Sequence, residues 1–240
     1  MRVEAPGAAQ RCTPLAAAGI GLAGDRFDYR IMDNLVLPQL GKGGTYRSFD
    51  KVLEIPPGHF TDFADWSRLA MMRNKRTLEQ LGKLQQSATD PASIARMIAV
   101  IENELGFGLY EAVGALKRAL SGEEHAALDF ESDDLHIHAE VTRAEFESWI
   151  APDLARIGET VDEALARADL APEQIDHVFL TGGSSLIPAV RRLFAQRFGE
   201  ARLIIQGSLA LAVGIFLIPF SSTLWILMIA MTIAGYGFSV

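Results

Sequence analysis

Gly182-Gly183-Ser184 stands where a short apolar run ends and a helical pattern begins. Val178, Phe179 and Leu180 predict a short buried strand. A glycine pair after such a strand turns the chain cheaply, because glycine tolerates positive φ and carries no Cβ. Pro188 then falls in the first turn of a helix, where its missing N–H costs nothing. Behind it Ile187, Val190, Leu193, Phe194 and Phe198 recur at helical spacing. Strand, di-glycine turn and helix N-terminus together aim backbone N–H groups and a positive dipole end at a gap that a nucleotide could enter. The same spacing also fits an ordinary β–α turn that holds no ligand.

Two other groups of residues could carry chemistry. Gly41-Lys42-Gly43-Gly44-Thr45 has part of a phosphate-loop pattern, but Lys42 is followed by Gly43 rather than Ser or Thr, so a basic loop is expected. His136 and His138 alternate along a predicted strand and share one face. A two-histidine metal site would need a third ligand, which the sequence does not supply, and a solvated strand face is the expectation. Cys12 is the only cysteine, which excludes a disulfide framework and a cysteine-based zinc site and fits a reducing compartment.

The chain has 240 residues, 49% of them hydrophobic, and a formal net charge of −8. That balance argues against a nucleic-acid partner, which would want a basic face. The average conceals a split: no Asp, Glu, Lys, Arg or His occurs from Leu203 to the end. Residues 1–18 lack periodicity and are expected to be a disordered tail.

Between these ends the pattern is α/β. Asp25 with Asp28 three residues later looks like a helix N-cap and N3, with Phe27, Ile31 and Leu35 as the apolar stripe. A helical stretch is expected over 62–88, with Phe63, Trp66, Leu69, Leu78, Leu81 and Leu84 facing inward. Asp90-Pro91 opens the next helix. A further helix runs from about Tyr110 to Leu120 and stops at Lys117-Arg118-Ala-Leu-Ser121-Gly122, basic residues followed by glycine. Strands at 127–131 and 135–139 form a hairpin, and Thr142-Arg-Ala-Glu145 is a capping box for a long helix bent at Pro152.

Read together, Gly24-Asp-Arg-Phe-Asp28, Leu40-Gly-Lys-Gly, Leu69-Ala-Met-Met72, Lys117-Arg-Ala-Leu-Ser121, Val141-Thr-Arg-Ala-Glu-Phe146 and Phe179-Leu-Thr-Gly-Gly-Ser-Ser-Leu-Ile-Pro188 resemble the ATPase domain of DnaK-type, seventy-kilodalton heat-shock chaperones, in its YegD-like branch. The resemblance covers residues 19–202 and implies a partial actin-like ATPase fold, the second lobe with a helical subdomain. In it 19–60 and 122–202 would form the α/β part and 61–121 the mainly helical part. It implies that ATP, with Mg2+ in the family, is the ligand. Gly24 would lie near the phosphates, Lys117 and Ser121 would hold the adenosine with Arg118 beside the base, and Gly182, Gly183 and Ser184 would close the other side. Two positions depart from the family. Gly114 stands where an acidic ribose contact is usual, and Leu186 where an arginine usually stacks on adenine, so weaker binding is expected. The family's two phosphate loops, Asp-x-Gly-Thr and Asp-x-Gly-Gly-Gly-Thr, have no counterpart here. No catalytic residue or metal ligand is therefore assigned, and hydrolysis is expected to be negligible. Unfolded protein clients are implied as partners, in the cytoplasm. An actin-fold small-molecule kinase fragment is an alternative reading.

Residues 203–240 comprise two apolar runs parted by Ser221-Ser-Thr223, each about long enough to cross a hydrocarbon core of roughly 30 Å. They resemble two helices of a major-facilitator transporter and predict a hydrophobic helical hairpin of two transmembrane helices, anchored in the cytoplasmic membrane. A helical hairpin buried in a soluble core is the alternative. The junction near Arg202 suggests a truncated or chimeric chain, and a transporter remnant with a soluble passenger is the competing functional reading.

Overall fold

The computed structural model describes residues 2–3, 12–22, 24–132 and 135–205. The chain divides into two compact units, one of residues 23–151 and one of residues 1–22 with 152–240. The first strands, β1 (Arg2–Val3) and β2 (Cys12–Thr13), pair antiparallel within the segment expected to be disordered.

The unit 23–151 holds most of the buried apolar side chains. It opens with α1 (Gly24–Ile31), which runs on through a π-helical turn at Met32–Val36 and a 3-10 turn at Leu37–Leu40. The wider π turn shifts the buried side from the expected Leu35 to Met32 and Val36. Gly41 ends the run at φ 99°, a conformation in which a Cβ would be strained.

The next segment forms a hairpin that the sequence pattern does not reveal, β3 (Thr45–Ser48) with β4 (Lys51–Glu54), turning at Phe49 with φ 52°. The long helix expected over 62–88 is instead a 3-10 stretch, Pro57–Ala64, followed by α2 (Trp66–Met71) and α3 (Lys75–Ser87). Each α-helix has its own N-cap. Asp65 accepts from the Ser67 N–H, and Asn74 accepts from the Thr77 N–H at 2.9 Å.

Asp90 caps α4 (Pro91–Glu102) as its sequence predicts, accepting from the N–H groups of Ala92 and Ser93. Then come α5 (Gly106–Gly122) and the antiparallel hairpin β5 (His125–Ser132) with β6 (Leu135–Thr142). Phe63, Leu81, Ile94, Met97, Leu109 and Leu116 are among the fully buried side chains that join these helices.

The capping box closes as expected. Glu145 donates its N–H to Thr142 Oγ1 at 3.1 Å, and Thr142 returns its own N–H to Glu145 Oε2 at 2.9 Å. It opens α6 (Arg143–Ala168), which contains Pro152. Residues 143–151 belong to this unit and 152–168 to the other.

The second unit continues through a 3-10 turn at Pro172–Gln174 to β7 (Val178–Leu180), α7 (Pro188–Phe198) and β8 (Leu203–Ile205). β8 pairs parallel with β7, Val178 opposite Leu203 and Leu180 opposite Ile205. Residues 203–205, assigned from sequence to a membrane hairpin, are therefore a strand: Leu-Ile-Ile carries the β-branched bulk that suits a sheet, and β7 supplies the ladder. The rest of that hairpin, 206–240, lies outside the described residues. No described helix is long and apolar enough to cross a membrane.

Candidate functional site

Helix α1 delivers Asp28 and α5 delivers Lys117 to the same place. The Lys117 ammonium donates to Asp28 Oδ2 at 2.8 Å and to the Gly24 carbonyl at 3.1 Å. Gly24 and Lys117, which the family resemblance assigns to the phosphate and adenosine parts of one nucleotide site, are thus in direct contact although distant in the chain. The sequence pattern makes Asp28 the N3 residue of its own helix. Its carboxylate is committed to Lys117 instead, because this end of α1 faces α5.

Both side chains of this pair keep less than a fifth of their surface, 17% for Lys117 and 18% for Asp28. Burial raises the Asp28 carboxyl above its ordinary value, against the lowering effect of the Lys117 charge and hydrogen bond. Its second oxygen, Oδ1, is buried and has no hydrogen-bond partner among the described residues.

Ser121 lies one turn beyond Lys117, and its hydroxyl donates back to the Lys117 carbonyl at 3.0 Å. Arg118 is exposed. Gly114 sits in the turn before it, and a Cβ built there would stand 3.4 Å from the Arg118 guanidinium. Tyr110, on the same helix, donates its hydroxyl to the Phe63 carbonyl, and burial raises its phenol above the ordinary value. In the sequence Tyr110 reads only as a helix start, and nothing local signals this anchoring bond.

The three remaining predicted site residues belong to the other unit. Gly182 adopts φ 100° and ψ 149°, a backbone that only glycine holds without strain. Its carbonyl accepts the Ser185 hydroxyl at 2.6 Å and the Ser185 N–H at 2.9 Å, which fixes the turn. Gly183 begins the 3-10 turn Gly183–Leu186, and Ser184 within it is half-buried. Pro188 occupies the first turn of α7 as expected.

The other sequence candidates do not build a ligand site. In the Gly41–Thr45 loop the N–H groups of Gly41, Lys42 and Gly44 are spent on Pro38, Leu37 and Gly41 carbonyls. The Lys42 ammonium is paired with Asp33 at 2.5 Å. These amides, which a phosphate would need, are already engaged. His136 and His138 do share an outward face, with rings stacked at 6.5 Å, and His138 Nδ1 is paired with Asp129. No group of three His, Cys, Asp or Glu side chains among the described residues is placed to hold a metal.

Residues 102–215 match the model of the Hsp70 protein family. The match takes in Lys117, Arg118, Ser121, Gly182, Gly183 and Ser184, leaves out Gly24, and runs past the end of β8. Heat shock protein hsp88 of Neurospora crassa is 33% identical over 125 residues, 51% of this chain and 16% of that protein. Chaperone protein DnaK of Thermus thermophilus is 42% identical over 66 residues, 28% of this chain and 11% of that protein. A chaperone protein HscA homolog of Verminephrobacter eiseniae is 38% identical over 92 residues, 38% of this chain and 15% of that protein. The matched part thus spans about a sixth or less of each relative's length. These similarities ally residues 102–215 with Hsp70-type proteins, and they give no support to the transporter likeness of the chain's end.

Proposed function

We propose that residues 19–202 are part of an adenine-nucleotide-binding module of chaperone type. Gly24, Lys117, Arg118 and Ser121 are its nucleoside-binding residues in one unit, and Gly182, Gly183 and Ser184 are those in the other. The observation that carries this reading is the Lys117 ammonium held by Asp28 against the carbonyl of Gly24, a second residue that the resemblance assigns to the nucleotide site. An ammonium already ordered by Asp28 and the Gly24 carbonyl keeps a further N–H to donate to a ribose hydroxyl or phosphate oxygen. The exposed Arg118 guanidinium offers a planar cation to the base. The Gly182 backbone leaves no Cβ between the turn and a flat ring.

ATP is the nucleotide that the resemblance implies. This reading assigns residues to its adenosine part alone; among the described residues no group of three His, Cys, Asp or Glu side chains is placed to hold a metal. The Hsp70-like relatives are chaperones by name, and unfolded polypeptides are the partners this reading extends to the protein of which the module forms part. The lost acidic residue at Gly114 and the lost stacking arginine at Leu186 make the binding weak, with a dissociation constant above about 1 μM.

Titration of the full chain with a fluorescent ATP analogue tests this. Saturable binding displaced by unlabelled ATP is expected, with Lys117→Met weakening it about tenfold, the worth of one charge-assisted hydrogen bond. Equal affinity for the wild type and Lys117→Met, or no saturable binding at all, would remove the proposal.

A further inference from the structure

A cavity of about 350 Å³ opens within the unit of residues 23–151, and no residue of the proposed nucleotide site lines it. That volume is at the lower end of the range for small-molecule sites. Irregular backbone builds most of its wall. The π-helical turn Met32–Val36 supplies Asp33 and Asn34, and the 3-10 turn after it supplies Pro38. Glu54, the last residue of β4, is followed by Ile55, and the 3-10 stretch Pro57–Ala64 supplies Pro57 and Phe60.

The lining has two chemical parts. Phe60 and Ile55 are 2% and 3% exposed, and with the rings of Pro38 and Pro57 they make the apolar part. The polar part holds two carboxylates, one amide and one ammonium. The Lys42 ammonium lies 2.5 Å from Asp33 Oδ1, so these two charges balance. Glu54 is exposed and makes no ion pair among the described residues. Asn34 donates its Nδ2 to the Arg30 carbonyl at 2.8 Å, which leaves its oxygen to accept. The groups left over are thus a carboxylate and an amide oxygen, both acceptors. An anion would meet this excess negative charge and would find the N–H groups of Gly41, Lys42 and Gly44 already bonded to carbonyls.

We propose that this cavity binds a small organic cation, an ammonium or guanidinium group carried on an apolar ring or chain. The cationic end pairs with Glu54 and donates to Asn34 Oδ1, while the apolar body lies against Phe60, Ile55 and the two prolines. A hydrogen bond to a carboxylate is roughly twice as strong as a neutral one, so charge selects the ligand. Burial of its apolar body against the buried side chains adds affinity of a kind that does not depend on charge. This site stands independently of nucleotide binding.

Three compounds with one ring system and different charge test it on the full, 15N-labelled chain: tryptamine, tryptophol and indole-3-acetate. In an amide-detected NMR titration tryptamine should bind saturably, with shifts centred on residues 33–43 and 54–60. Tryptophol should bind about tenfold more weakly, and indole-3-acetate more weakly still. Glu54→Gln should weaken tryptamine about tenfold, the worth of one charged hydrogen bond, and leave tryptophol unchanged. If that variant melts below the wild type, Asn34→Asp makes the same distinction by adding a carboxylate, which should tighten tryptamine and not tryptophol. Equal affinity for the three compounds, indifference of tryptamine to these substitutions, shifts centred elsewhere, or no saturable binding would each overturn the proposal.

Discussion

Lys117 and Asp28 are bound to each other at 2.8 Å, and neither keeps a fifth of its side chain in water. The pair locks α5 to α1 and fixes the one ammonium on which the nucleotide reading rests. It does so at a cost. Asp28 Oδ1 has no partner among the described residues, and burial alone would favour a neutral carboxyl. The Lys117 charge offsets that preference.

Breaking the pair from either side therefore leaves the other group half-buried and uncompensated. Asp28→Asn and Lys117→Met should each lower the unfolding free energy by about 1–3 kcal/mol. The double variant should lose less than the sum, by about 1 kcal/mol or more of coupling. Urea unfolding of the four proteins measures this, and strictly additive losses would show that the two groups do not stabilise one another.

The capping box offers a local counterpart. Thr142 and Glu145 satisfy one another's N–H groups, and the bonds from Thr142 hold the Glu145 carboxyl below its ordinary value. Thr142→Ala should cost about 1 kcal/mol. Thr142→Ser keeps the accepting oxygen and should cost much less. A Thr142→Ala protein with an unchanged urea midpoint would mean that the α6 start is held by packing instead.

Features set by neighbours in the chain are legible in the sequence. The Thr142–Glu145 box, the Asp90 cap with Pro91, the β5–β6 hairpin and the turn from β7 into α7 each depend on residues a few positions apart. Periodicity over 62–88 hides the caps at Asp65 and Asn74, because the apolar spacing stays roughly in phase across both breaks. The β3–β4 hairpin escapes because every residue of β4 is exposed and shows no alternation. Asp28 reads as part of its own helix for a related reason. Its partner stands on a distant helix, and no local pattern reports a long-range ion pair.

Two glycines in helical surroundings should answer oppositely to one methyl group. At Gly41 the φ of 99° strains any side chain, and a Cβ would stand 2.6 Å from the Ile94 Cδ1 and 3.0 Å from Ser93 Oγ, both in buried residues. Gly41→Ala should destabilise by about 2 kcal/mol. Gly82, inside α3, has nothing within 4 Å of its would-be Cβ. Gly82→Ala should stabilise by up to about 1 kcal/mol through helix propensity alone. Thermal melts of the two variants should move in opposite directions; a shared direction would place Gly41 in a site that relaxes freely.

The outward face of the β5–β6 hairpin carries a pH dependence whose sign is fixed by its pairing. Asp129 stands opposite His138 in the ladder and hydrogen-bonds its Nδ1, and Glu140 adds a further negative charge, so the imidazole is held above its ordinary value of 6.5. A histidine raised in the folded state binds its proton more tightly there than in the unfolded chain. Its contribution is complete below the unfolded value and is lost as pH rises through the elevated one. The pair is solvent-exposed and its effect on stability is correspondingly small, so the sensitive observable is the ring itself. Proton NMR titration should place the His138 midpoint above 6.5, and Asp129→Asn should bring it down while leaving the hairpin folded. A His138 midpoint that ignores Asp129→Asn would show that the carboxylate and the imidazole do not meet in solution.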